Sequence, residues 1–379
     1  MELKRISSQG RIIGEIDGLR FIAISMVVVA HLEGIWFHNS GRVYQYNSFD
    51  SLFHKGINVG PWGVQLFFII SGFIVSLPWV KALNEGNKMP SLKEFYLRRL
   101  TRLEPPYIIS TLLFFILLIA LHKYSYEELK GHLLPTLFYV HNFVFGYGSW
   151  INRAAWSLEI EIQFYLLAPI IISLIYRWIN KTFILAFIIT LGYPFLLFYL
   201  FPFSHTGLHN FIHYFIAGIV FAKLYVDGKL VPDNKKYSYD IIVLFILPIM
   251  VVVCNNNYGY YYALGIMPVL LIVVFVCAFR GRIFNYLLTR NWVVIIGGAC
   301  YSIYLLHGRL ISIPIELLKH YVHTGSYALD LLVLFVIIAP ITVVGSLVFY
   351  MLIERPCMDK NWPSKLLAYI QRKITFLKN

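Results

Sequence analysis

An arginine and a histidine stand eleven residues apart in an otherwise apolar stretch: Asp17-Gly18-Leu19-Arg20, then FIAISMVVVA, then His31. At 100° per residue the separation is about 1,100°, three turns plus about 20°, so the two side chains share one helix face. The rise between them is about 16 Å, half of a ~30 Å hydrocarbon layer. Arg20 therefore belongs at a membrane edge and His31 well inside. A titratable group at that depth is costly and marks a functional site by default. The chemistry on offer is proton handling, since a neutral imidazole accepts a proton from an alcohol near neutral pH. A core histidine bonded to a neighbouring carbonyl is the plainer alternative.

Other polar groups gather at the ends of apolar blocks. The expected inner loop EFYLRRLTRLEPPY carries Arg98, Arg99 and Arg102 before Pro105-Pro106, which is read as opening the third span. Arg99 and Arg102 are three apart and share a face, and guanidinium forks suit phosphate oxygens. Positive-inside anchoring is the simpler role, and the one expected for Arg98. In AAWSLEIEIQFYLLAP, Glu161 and Tyr165 fall on one helix face, Glu159 and Gln163 on another. Tyr304 and His307 are three apart near the end of a late apolar block. Ser71 lies in GVQLFFIISGF without a nucleophile-elbow pattern, which makes it a packing or hydrogen-bonding residue. No His/Cys/Asp/Glu spacing reads as a metal site.

These groups need a scaffold, and composition names its class. The chain has 379 residues, is 59% hydrophobic and only 13% charged, about half the charged fraction of an ordinary soluble domain. Apolar blocks occur near 21–37, 62–80, 106–122, 156–176, 183–201, 210–226, 241–254, 262–279, 293–313 and 329–353. The expected fold class is all-α, a polytopic transmembrane helix bundle of about ten spans. The stretch 132–147, with Pro135, two histidines and Asn142, reads as a re-entrant or outer-surface segment. With the N-terminus inside, 25 of the 32 Lys and Arg fall on inner segments and seven on outer ones. That bias places both termini in the cytoplasm. The net charge of +13 then faces anionic lipid, and no nucleic-acid partner is expected. Residues 1–360 form one transmembrane domain. Residues 361–379 read as a basic amphipathic tail on the membrane surface. The N-terminus shows no cleavable signal pattern. Cys254, Cys277, Cys300 and Cys357 are scattered and do not form a disulfide framework.

The pieces, in this order, resemble the acyltransferase 3 family of integral-membrane O-acyltransferases. They are Asp17-Gly18-Leu19-Arg20 with His31, the stretch Gly63 to Phe73, the Arg99/Arg102 pair, and Trp156, Ser157, Leu158, Glu161, Phe164 and Tyr165. Tyr301, Ser302, Tyr304, Leu305 and His307 follow, and Glu354-Arg355-Pro356 closes the last span. Cys300 stands where the family usually has Ser or Gly. The resemblance covers about residues 12 to 360. Some relatives carry an added C-terminal esterase-like domain, which the remaining residues are too few to form.

The resemblance implies transfer of an acyl group, most often acetyl, from cytosolic acyl-CoA to a carbohydrate hydroxyl. The acceptors it implies are lipopolysaccharide, capsule or exopolysaccharide sugars, peptidoglycan sugars, or glycosylated small molecules, and the place is a bacterial inner membrane. Acyl-CoA (acetyl-CoA) would be a co-substrate, with no permanently bound cofactor and no metal. Arg99 and Arg102 would hold the CoA phosphates, with Arg20 as a helper. His31 would be the general base or an acyl carrier, and Glu161 would orient the imidazole or position the acceptor. Trp156, Tyr165, Tyr304 and His307 would line the acceptor side. The protein would work as a monomer or homodimer. A proton-coupled transporter and a glycan polymerase or flippase are the rival readings of a polytopic protein with intramembrane His and Glu.

Overall fold

A computed structural model describes residues 12–179, 192, 207–255, 260–359, 361–365 and 371. The described residues are helical, without a strand. The chain is an integral membrane protein. Among the described residues, seven helices are long and apolar enough to cross a bilayer, and a bent pair would make an eighth. The expected block 183–201 and most of the expected tail lie outside the described residues.

The first helix, α1 (Gly14–Ser40), carries the Asp17–His31 stretch and ends at Gly41, whose positive φ closes it in the left-handed region. A short α2 (Ser48–Ile57) follows, then α3 (Gly63–Glu85). The next helix, α4 (Leu92–Ala120), corrects the sequence reading at one point. Pro105-Pro106 does not open it. The helix starts at the Ser91 cap and runs through both prolines, so Arg98, Arg99 and Arg102 ride on helix rather than loop. A proline at 105 cannot bond back to the Thr101 carbonyl. The indole N–H of Trp362 donates to that carbonyl instead, at 2.8 Å. Two residues on, the Leu103 carbonyl also accepts the hydroxyl of Tyr301, at 2.9 Å.

The stretch 132–147 is two short helices, α5 (Tyr126–Leu137), opened by a Ser125/Glu128 capping box, and α6 (His141–Phe145). Then come α7 (Trp156–Ile179), α8 (Leu208–Val226), α9 (Tyr237–Cys254) and α10 (Tyr260–Arg280). After the short α11 (Ile283–Leu288), the apolar block near 293–313 is not one straight span. It breaks by 72° between α12 (Asn291–Gly298) and α13 (Cys300–Leu318). Gly297-Gly298 sits at the break. Gly297 lies against the backbone of Asp17, where a Cβ would collide. The last helix, α14 (Tyr327–Phe349), runs into a π-helical turn, Tyr350–Glu354, a local widening that often marks functional sites.

Helix directions follow from the contacts. Asp17 meets Gly297, His31 meets His307 and Asn39 meets Glu316, so α1 and α13 run parallel. Tyr301 meets Leu103 and Arg309 meets Phe114, which makes α4 parallel to both. Helices α3 and α8 run the opposite way, crossing where Gly72 faces the Phe215 backbone and Gly218 faces Ile69. No side chain fits between those backbones, which seats Ser71 at a fixed depth. Ile13 and Met358 border the same cavity, so the first and last spans begin and end at one face of the bundle.

Candidate active site

A cavity of about 410 Å³ opens among α1, α3, α4, α7 and α13, within the usual size range of small-molecule sites. Arg20, Arg98, Arg99 and Arg102 line it together with Ser71, Glu161, Tyr165, Ser157, Tyr304 and Glu354.

Its cationic end is built by α1 and α4. The Arg20 guanidinium bonds Asp17 Oδ1 at 2.8 Å, one turn back on α1. Arg99 lies 3.6 Å over the Phe95 ring and 5.0 Å over that of Tyr165, and donates to the Phe95 carbonyl at 3.1 Å. Neither Arg99 nor Arg102 makes an ion pair among the described residues. Two guanidinium groups that make no ion pair within 4 Å among the described residues, on one helix face at a cavity wall, have the chemistry to hold an anion with several oxygens.

The opposite wall comes from α7. Its two faces divide as their spacing requires. Glu161 accepts the Ser71 hydroxyl at 2.6 Å and the Tyr165 phenol one turn on. On the other face, Glu159 accepts the backbone N–H of Asn142 at 2.9 Å, fixing the start of α6, and Gln163 accepts that of Leu208 at 2.9 Å, fixing the start of α8. Glu161 is thus the carboxylate left to the cavity, while Glu159 and Gln163 hold neighbouring segments in place.

Glu354 is a lining residue whose role spacing alone did not reveal. Its carboxylate accepts the backbone N–H of Ser302 at 3.0 Å and the Ser302 hydroxyl at 2.5 Å. It therefore caps the start of α13, the helix exposed by the break after Gly298. A fully buried acid at the end of the last apolar block is the signal that could have marked it.

His31 stands elsewhere. Its Nδ1 is 2.9 Å from His307 Nε2, and the rings lie 4.9 Å apart. Among the described residues no hydrogen bond or ion pair joins Glu161 to His31, whose ring neighbour is His307. Neither histidine lines the cavity. The lining ends at Tyr304, whose hydroxyl bonds Ser157 at 3.1 Å and the Ala154 carbonyl, and whose ring lies 6.3 Å from that of His307. Trp156 is also outside the lining and packs 5.8 Å from the Phe211 ring. The structure therefore gathers Arg20, Arg99, Arg102, Glu161, Tyr165 and Tyr304 around one cavity. His31 and His307 sit as a pair one turn beyond it along α13.

Comparison with known proteins places the chain. A Staphylococcus aureus (strain COL) relative is 27% identical over 96% of this chain and 61% of its own length. The O-acetyltransferase OatA of Staphylococcus aureus (strain NCTC 8325 / PS 47) is 24% identical over 94% of this chain and 59% of that protein. The peptidoglycan O-acetyltransferase OatA of Listeria monocytogenes is 29% identical over 50% of this chain and 29% of its own length. The chain thus spans about three-fifths of the first relative it matches. No solved structure matches at a significant level. The family model described as an acyltransferase domain matches residues 13–351, and with every helix from α1 through α14 inside that match, the chain belongs to this acyltransferase family.

Proposed function

We propose that the protein is a membrane O-acyltransferase that moves an acyl group, acetyl first, from cytosolic acyl-CoA to a hydroxyl of a cell-envelope or exported carbohydrate. One observation carries the reading: Arg99 and Arg102, which make no ion pair among the described residues, and a third arginine, Arg20, share a cavity with Glu161, Tyr165 and Tyr304, and the Tyr304 ring lies 6.3 Å from that of His307, which pairs with His31. The CoA phosphates bind Arg99 and Arg102 at the cytoplasmic mouth, and Arg20 meets the chain behind them. The thioester passes Tyr304 to reach His31. The acceptor oxygen attacks the thioester carbonyl, its proton passes to the His31 imidazole, and the departing thiolate leaves as free CoA after taking that proton. Alternatively the imidazole first carries the acyl group and the hydroxyl then attacks it. Family membership and the relatives' O-acetyltransferase names support acyl transfer over transport or flipping. The printed name of the Listeria relative supports an envelope glycan as acceptor.

The test compares envelope and exported glycans from cells with and without the gene by mass spectrometry. Loss of an acyl mass from a sugar on deletion is the expected result. Unchanged glycans, together with no CoA release from acetyl-CoA by the purified protein, would overturn the reading.

A further inference from the structure

The contacts around the two histidines fix more than their proximity. His307 Nδ1 lies 2.8 Å from the Tyr304 carbonyl and 3.1 Å from that of Ile303. A carbonyl only accepts, so Nδ1 must carry the hydrogen. A second proton on His307 would put a full charge on a ring with no exposed surface and no carboxylate in contact, an expensive arrangement. In the neutral ring Nε2 is therefore bare and can only accept. The atom facing it, 2.9 Å away, is His31 Nδ1, which must then be the donor. That leaves the lone pair of the neutral His31 ring on Nε2.

We infer that His307 is a positioning residue that locks His31 in the Nδ1–H tautomer, so that Nε2 is the atom that takes the acceptor's proton or the acyl group. This replaces the expectation that His307 lines the acceptor side, and it rests on the reading of His31 given above. Two backbones set the polarity of this chain of bonds: carbonyls at 303 and 304 on α13 fix His307, and His307 acts on His31 together with the Val27 backbone, which the His31 ring meets one turn back on α1. A hydrogen bond from the second ring nitrogen is the usual means of setting which nitrogen of a working histidine is free. When Nε2 gains a proton, the Nδ1–H···Nε2 bond to His307 becomes charge-assisted and strengthens.

The test uses full-length protein in nanodiscs with ¹⁵N-labelled histidine, the His31 signals being assigned by difference from His31→Asn. The expected spectrum has a protonated Nδ1 and a bare Nε2 on His31 at neutral pH. In His307→Leu the preference falls to what the Val27 backbone contact alone supports, and in His307→Gln, whose amide oxygen can still accept, it returns. Turnover of acetyl-CoA should follow: kcat falls about 100-fold in His307→Leu with KM for acetyl-CoA unchanged, and the Gln variant recovers most of it. A His31 ring protonated on Nε2 in the wild type, or a tautomer unmoved by His307→Leu, overturns the assignment. Should the Leu variant fail to fold, the wild-type and Gln spectra still decide. The spectra read the tautomer whether or not the protein releases CoA, so a failure of the acyltransfer reading shows up separately.

Discussion

At the scale of single residues, spacing named the polar groups, and packing decided which of them meet. Arg20, Arg99, Arg102, Glu161, Tyr165 and Tyr304 surround one cavity, because each is an ionisable or hydroxyl group in an apolar setting and has few places to go. The pairing of His31 with His307 was not legible, since 276 positions separate them and no periodicity links α1 to α13. The same holds for Ser71 and Glu161. The arginines give the sharpest single-residue prediction. Arg99 is held between the Phe95 and Tyr165 rings and makes no ion pair among the described residues, whereas Arg98 is exposed. A hydrogen bond to a charged group contributes about 1.5–3 kcal/mol. Arg99→Ala should therefore raise the Kd for acetyl-CoA by about 10- to 100-fold, and Arg98→Ala by no more than about twofold, by calorimetry on purified protein.

At the scale of elements, apolar blocks predicted where helices lie, and the exceptions came from backbone satisfaction rather than hydropathy. Helix α4 passes through two prolines because Trp362 takes up a carbonyl they free. The α12–α13 break falls at a glycine pair that lets α12 approach α1. Neither partner is visible in a local window. The crossing of α3 and α8 depends on the same kind of closeness. Gly72→Val should force the two backbones apart and lower stability by about 1–3 kcal/mol, read as a reduced thermal midpoint in detergent. The segment α5–α6 carries a second histidine pair, His132 Nδ1 to His141 Nε2 at 2.8 Å, packed beside Phe145 and Trp150. Burial holds both rings below the ordinary histidine range. Their contribution to stability is therefore fully present above the unfolded value of about 6.5 and is lost as pH falls through and below it, because protons favour the opened segment. Hydrogen exchange across 126–150 should be slow at pH 7.5 and faster at pH 5 relative to the rest of the bundle. Equal protection at both would contradict the assignment of these rings as neutral and buried.

For the whole molecule, composition gave the class, and the charge bias gave an orientation that the helix directions are consistent with. Helices α1, α4 and α13 run one way and α3 and α8 the other, as alternating crossings demand. On the orientation expected from the Lys and Arg bias, the loop holding Gly228 would face the cytoplasm and the loop holding Gly325 would face outward. With the native cysteines replaced, Gly325→Cys in intact cells should react with a membrane-impermeant maleimide, and Gly228→Cys only after lysis. The reverse pattern would turn the bundle over and remove the arginine-lined mouth from the cytosolic donor. The bent α12–α13 pair, the π-helical turn and the Glu354 cap together shape the cavity, and all three depend on tertiary contacts that a linear reading does not contain.

The central claim is that acyl transfer runs through the imidazole of His31. Its most direct measurement is the rate of CoA release from acetyl-CoA, with acceptor present, by purified wild type and by His31→Ala reconstituted to the same folded fraction. The account predicts that the variant still binds acetyl-CoA and loses about 100-fold or more in turnover. A His31→Ala protein that binds and turns over like the wild type would contradict it.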